Sequence, residues 1–137
     1  MNKFFLLLLA CVLVQGCSSL STHREPALGK LKRIYVEHLL TDDYRTDQNI
    51  VAELKRLGYD ASCGPLTMMP DGVDAVLTYR QRSQWDFKSY LIELSVEVKG
   101  SFDGKVLATG RYYQPSIRTK SPEETVRAVI DPLFKPR

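Results

Sequence analysis

His23 and His38 are the only histidines in the chain, and imidazole is the side chain best suited to acid–base work or zinc ligation near neutral pH. Neither is joined by a Cys, an Asp or a second His in a ligand-spaced motif, so no metal site is expected. Adjacent carboxylates are the raw material of paired acid–base groups. Here, however, Asp42-Asp43 reads as loop or helix-start chemistry, and Glu123-Glu124 follows Ser121-Pro122 as a helix cap. The chain has no G-x-S-x-G, no P-loop and no dinucleotide fingerprint. The expectation is a non-enzymatic protein without a catalytic residue, a metal or a diffusible cofactor.

Binding chemistry is better represented. Along segments that alternate apolar and polar residues, Tyr35, Glu37, Thr78, Arg80, Arg82, Glu93, Glu97 and Arg111 fall on the polar side, where a sheet would leave one face uncovered. Such a face is either a solvated lattice of cross-strand ion pairs or a platform for a partner, with Tyr35, Arg80 and Arg111 as its candidate contacts. Anionic lipid or lipopolysaccharide could be met through Arg80, Arg82, Lys88 and Arg24. Trp85, the one tryptophan, lies with Phe87 in a polar stretch from Gln81 to Phe87. It either closes the open end of the core or stands exposed as an aromatic anchor for a membrane interface or a partner. Met68 and Met69 read as loop packing.

The elements that position these residues begin after a segment of different character. Met1-Asn2-Lys3 is a short cationic start, and Phe4 to Val14 is an unbroken apolar run, too short to span a bilayer and laid out like a secretory signal. It ends in Val14-Gln15-Gly16-Cys17 followed by Ser18-Ser19. This resembles the lipobox of bacterial lipoproteins, with Gln15 in place of the commoner small residue. The resemblance implies cleavage between Gly16 and Cys17, a diacylglycerol thioether on Cys17, and an N-acyl chain on its freed amine. Cys11 lies inside the apolar run, which would leave too short a hydrophobic segment before it. Two or three acyl chains hold a protein firmly where one does so marginally. In Gram-negative lipoproteins an Asp after the lipidated cysteine marks inner-membrane retention; with Ser18 there, the outer membrane, periplasmic face, is expected. Cys63 is then the only free thiol of the mature chain, and no internal disulfide can form.

Three segments are expected: a signal peptide over 1–16, lipidated Cys17 with a flexible tether to residue 30, and a folded domain over 31–137. The tether is inferred from the Ser, Thr, Pro and Gly of Ser18 to Lys30. Leu31 to Leu40 alternates as a strand, and Ile50, Val51, Leu54 and Leu57 form a helical stripe that Gly58 should stop. Tyr59 to Cys63 reads as a short strand or an extended connection and Val73 to Gln81 as a strand, Tyr90 to Val98 alternates most clearly, and Asp103-Gly104 predicts a hairpin into Lys105 to Tyr113. A last helix starts at Ser121, and Asp131-Pro132 should kink or end it. The order β-α-β-β-β-β-α predicts an α+β two-layer sandwich, mostly antiparallel, with two helices on one face.

Charge is nearly balanced, +3 over 137 residues, which together with export disfavours nucleic acid as a partner. The stretches Asp74 to Tyr79, Trp85-Asp86, Tyr90 to Leu94 and Asp103 to Ala108 resemble the body of small Gram-negative envelope lipoproteins of uncharacterised function, and more distantly the lipopolysaccharide-assembly lipoproteins. That resemblance implies a periplasmic α+β module and assigns no catalytic residue. The leading expectation is a membrane-anchored, non-enzymatic module that binds an envelope protein or lipid through its sheet face or the Trp85 stretch. The alternative is a lipid or lipopolysaccharide carrier, which would need an apolar cavity between sheet and helices.

Overall fold

The computed structural model describes residues 18–115 and 120–135; the signal segment, Gly16 and Cys17 lie outside them. One mixed sheet of six strands runs in the order β1-β6-β5-β4-β2-β3. Its strands are β1 (Ser19–Arg24), β2 (Arg33–Glu37), β3 (Asp60–Gly64), β4 (Ala75–Asp86), β5 (Lys88–Gly100) and β6 (Val106–Tyr113). Helices α1 (Thr46–Arg56) and α2 (Pro122–Phe134) pack on one face. β2 pairs in parallel with β3 and β4, and every other pairing is antiparallel. The architecture is the expected α+β two-layer sandwich, with one strand more than the sequence suggested.

The added strand corrects the tether. Ser19–Arg24 is paired residue for residue with β6, from Ser19 opposite Tyr113 to Arg24 opposite Ala108. A 3-10 turn over Pro26–Lys30 then buries Leu28 completely. Among the described residues the folded body therefore reaches back to Ser19. Small hydroxyl residues suit a solvated edge strand as well as a linker, and the pairing comes from the backbone of β6, which composition does not reveal.

Local chemistry explains the helix boundaries. Asp42 accepts from the backbone N–H of Tyr44 (3.0 Å) and Asp47 (3.2 Å), so it orders the turn into α1. Gly58, at φ +95°, ends that helix in the left-handed conformation while Tyr59 N–H donates back to Leu54 C=O. Ser121 and Glu124 form the expected reciprocal capping box at the start of α2. Pro132 neither ends nor interrupts this helix, which continues to Phe134. Burial of Leu133 and Phe134, the latter edge-on to Tyr59 at 5.3 Å, offsets the missing backbone donor in the last turn.

Between the layers lie Ile34, Val36, Ile50, Leu54, Leu77, Leu94, Val129, Ile130 and Leu133, each at most 1% exposed. Gly110 permits the close approach of α2 to the sheet: a Cβ there would stand 2.9 Å from Val129 Cγ1. The helices are clamped to each other by Glu53, which accepts from Arg56 Nε (2.8 Å) and from Arg127 Nε and Nη2 (3.0 and 2.9 Å).

Candidate binding face

The sheet's second face carries no α-helix among the described residues, and its register places the polar side chains in rows. One row across β4, β5, β6 and β1 is Arg80, Ser95, Arg111 and Ser21. Beside it, toward the β4–β5 turn, lies the row Arg82, Glu93, Tyr113 and Ser19, and on the other side Thr78, Glu97, Thr109 and His23. β-bulges between Arg82 and Ser83 and between Val98 and Lys99 accentuate the twist of these strands. Except for Ser19, Tyr113 and His23 at their β1–β6 ends, the rows line a shallow trough of about 490 Å³.

Glu93 is the electrostatic centre of the trough. Its Oε1 accepts from Arg111 Nε at 2.9 Å and its Oε2 from Arg82 Nη2 at 2.9 Å. The Arg111 hydrogen bond outweighs partial burial and holds the Glu93 carboxyl below its usual range, so it is ionised at neutral pH. Glu97 is paired with Lys99 at 2.9 Å. Arg80, exposed, has no carboxylate within ion-pair distance among the described residues.

The candidate contacts are thus partly reunited. Arg80 and Arg111 share the trough, as the alternation predicts. Tyr35 does not join them: it is 2% exposed, packed against Gly64 where any Cβ would collide with its hydroxyl, and it donates to Pro65 C=O at 2.8 Å. The chain leaving β3 folds over that end of the face, so the position is polar in the alternation yet covered. Trp85 stands apart at the tip of the β4–β5 hairpin. The expected loop is instead a continuation of both strands, turning at Phe87 with φ +59°. Trp85 and Phe87 are 73% and 93% exposed, with ring centroids 6.2 Å apart, so they do not close the core. A phenylalanine in a position that favours Gly or Asn concealed the turn. Met68 and Met69 are both exposed.

The structure also assembles one cluster that spacing concealed. His38 Nδ1 lies 2.8 Å from Asp47 Oδ2, and Asp47 is nearly buried beside Cys63. Burial and the neighbouring Asp47 carboxylate push the Cys63 thiol up to about 11, which leaves it protonated and a poor nucleophile at neutral pH. Nearby, burial opposes ionisation of Asp42, but donors from Tyr79 Oη (2.7 Å), Tyr44 N, Gln81 Nε2 and Asp47 N hold its carboxyl below the usual range. These groups are consumed in ordering the 42–47 turn. No group of three or more His, Cys, Asp and Glu side chains among the described residues is arranged to hold a metal ion.

No family model and no curated protein matches the chain. Solved structures do match. A PelC variant from Paraburkholderia phytofirmans, described as a dodecamer, superposes with a TM-score of 0.65 at 15% identity, covering 88% of this chain and 100% of that one. A second PelC dodecamer from the same organism gives 0.60 at 15% identity over 85% and 94%. At this identity the likeness concerns the fold.

Proposed function

We propose that the chain is a lipoprotein of the bacterial envelope, anchored through acylated Cys17 on the periplasmic face of the outer membrane, and that its folded body is a non-enzymatic binding module. The observation that carries this reading is the position of β1. Ser19, two residues after Cys17, lies in the row of Arg82 and Glu93, at the end of the sheet from which the β4–β5 hairpin projects. At ~3.3 Å per residue, Trp85 extends about 10 Å past that row. An anchor at Cys17 therefore brings Trp85, Phe87 and the basic Lys88 to the bilayer surface, where amphipathic aromatics and cations are favoured. The strands then stand away from the membrane and leave the Arg80–Arg111 trough facing the periplasm sideways.

The carrier alternative is less well supported. The space between sheet and helices is filled by side chains such as Leu28, Leu54, Ile130 and Phe134, all at most 1% exposed. The PelC structures, described as dodecamers, add a second copy of this chain to the candidate partners, and light scattering on the detergent-solubilised protein measures that directly. The decisive experiment is metabolic labelling with palmitate plus membrane fractionation of wild type and Cys17→Ser. Label and outer-membrane recovery in the wild type, both lost in the variant, are expected. An unlabelled or freely soluble wild type rejects the anchor. Photo-crosslinking from Arg80 and Trp85 then tests the binding role: if neither position captures an envelope component, that role fails.

A further inference from the structure

We propose that the open trough holds an acidic glycan, with a sugar carboxylate seated over Ser95 between Arg80 and Arg111. The inference rests on the binding-module reading of this face and names its ligand class. Arg80 and Arg111 flank Ser95 on neighbouring strands, so their Cα atoms stand about 10 Å apart, twice the separation of directly opposed residues. Between two long guanidinium side chains the short serine leaves an opening whose floor offers a hydroxyl. Arg111 spends its Nε on Glu93, which fixes the plane of the guanidinium and leaves its terminal nitrogens to donate. Arg80 is uncommitted among the described residues.

The charges are unequal in a way that selects the ligand. Arg80, Arg82 and Arg111 face one carboxylate, Glu93, while Glu97 and Lys99 neutralise each other. Two positive charges remain, and guanidinium forks match carboxylates in geometry as well as in sign. The lining then narrows the class. Ser21, Thr78, Ser95 and Thr109 contribute hydroxyls, and the lining side chains are otherwise charged or polar, apart from the core-facing Tyr79 and Val96. An acyl chain has no slot there, and a protein partner would lack the aromatic or aliphatic anchor pocket that dominates most protein interfaces. A polar, hydroxyl-rich ligand with acidic groups satisfies every lining group, and about 490 Å³ falls within the range of small-ligand sites.

The test titrates the full chain, purified in detergent, with oligogalacturonate, a neutral oligosaccharide of equal length, and oligoglutamate, read by calorimetry and by amide shifts at Ser95 and Thr109. Oligogalacturonate should bind, the neutral sugar should not, and Arg80→Gln should weaken binding about tenfold or more while leaving the far-UV circular dichroism and the denaturation midpoint unchanged. Equal binding of oligoglutamate with the same dependence on Arg80 overturns the glycan assignment in favour of charge alone. Absence of oligogalacturonate binding, or indifference to Arg80→Gln, overturns it as well. Should Arg80 crosslink to an envelope protein while no sugar binds, the glycan inference falls and the binding-module reading stands. A failure of Cys17 labelling strikes the anchor, independently of this titration.

Discussion

Replacing Asp42 with Ala should unfold the entry to α1, and the size of the effect follows from what the carboxylate holds. It accepts from four donors: the Tyr79 hydroxyl at 2.7 Å, Gln81 Nε2 at 3.2 Å, and the backbone N–H groups of Tyr44 and Asp47. Tyr79 is 3% exposed, so its hydroxyl loses its best acceptor with little access to water; a buried polar group left unmet costs about 1–3 kcal/mol. Losing the side-chain acceptor at the helix start costs a further ~1 kcal/mol. The backbone donor of Tyr44 and the Gln81 amide can be rehydrated at less cost. A destabilisation of about 2–4 kcal/mol is expected for Asp42→Ala. Tyr79→Phe alone should cost ~1 kcal/mol, because Asp42 keeps its other donors. In the double variant no stranded hydroxyl remains, so its cost should fall short of the sum by about 1–2 kcal/mol. Urea denaturation followed by far-UV circular dichroism is the appropriate assay, since Trp85 is exposed and reports poorly on the core. An Asp42→Ala cost below ~0.5 kcal/mol, or strict additivity with Tyr79→Phe, would refute the reasoning and reopen a functional role for this carboxylate.

Gly110→Val should cost about 1–3 kcal/mol by overpacking α2 against the sheet, visible as a lower urea midpoint, whereas Gly104→Asn at the exposed β5–β6 turn, φ +68° with open space beside it, should stay within ~0.5 kcal/mol. Asp42, Asp74, Glu53 and Glu93 all have carboxyls held below their ordinary values in the folded state. Their contribution is therefore complete above the unfolded carboxylate range near pH ~4 and is lost as pH falls through the lower folded values; melting temperature should be flat with respect to these groups above that range and decline below it. Cys63, with its thiol pushed up to about 11, should react with iodoacetamide at pH 7.5 at least tenfold more slowly than an unstructured thiol. Mass spectrometry should show the rate recovering in urea, and rapid labelling of the native protein would contradict a half-buried thiol held protonated beside Asp47.

Periodicity and caps exposed much of the fold. The alternation of Tyr90 to Val98 and the stripe of Ile50, Leu54 and Leu57 reflect burial, which acts on residue type directly. The box at Ser121 and Glu124 and the stops at Gly58 and Gly104 are local backbone chemistry, equally visible in one dimension. What escaped notice depends on partners distant in sequence. Ser19–Arg24 is a strand because β6 offers it an edge, and nothing in Ser, Leu, Thr and His announces that. Tyr35 is buried because the chain after Cys63 doubles back over it. Asp47, at a helix start, meets His38 and Cys63 only after β2, α1 and β3 have packed. Within the candidate site, Arg80 and Arg111 were legible because alternation assigns faces. Their separation by Ser95, and the sharing of Glu93 between Arg82 and Arg111, required the register.

The edge strand β1 also has a mechanical consequence. A pull on its N-terminus acts along the strand axis, antiparallel to β6, and loads the six paired positions from Ser19 to Arg24 together. That is a shear geometry, in which the ladder bonds share the force; a perpendicular pull would peel them one at a time. Arg24, at the far end, donates to the C=O of Lys135, the residue that caps α2, at 2.9 Å, so the load passes on to the end of that helix. Tension entering at Ser19 is thus distributed into both layers of the sandwich before any single contact has to yield.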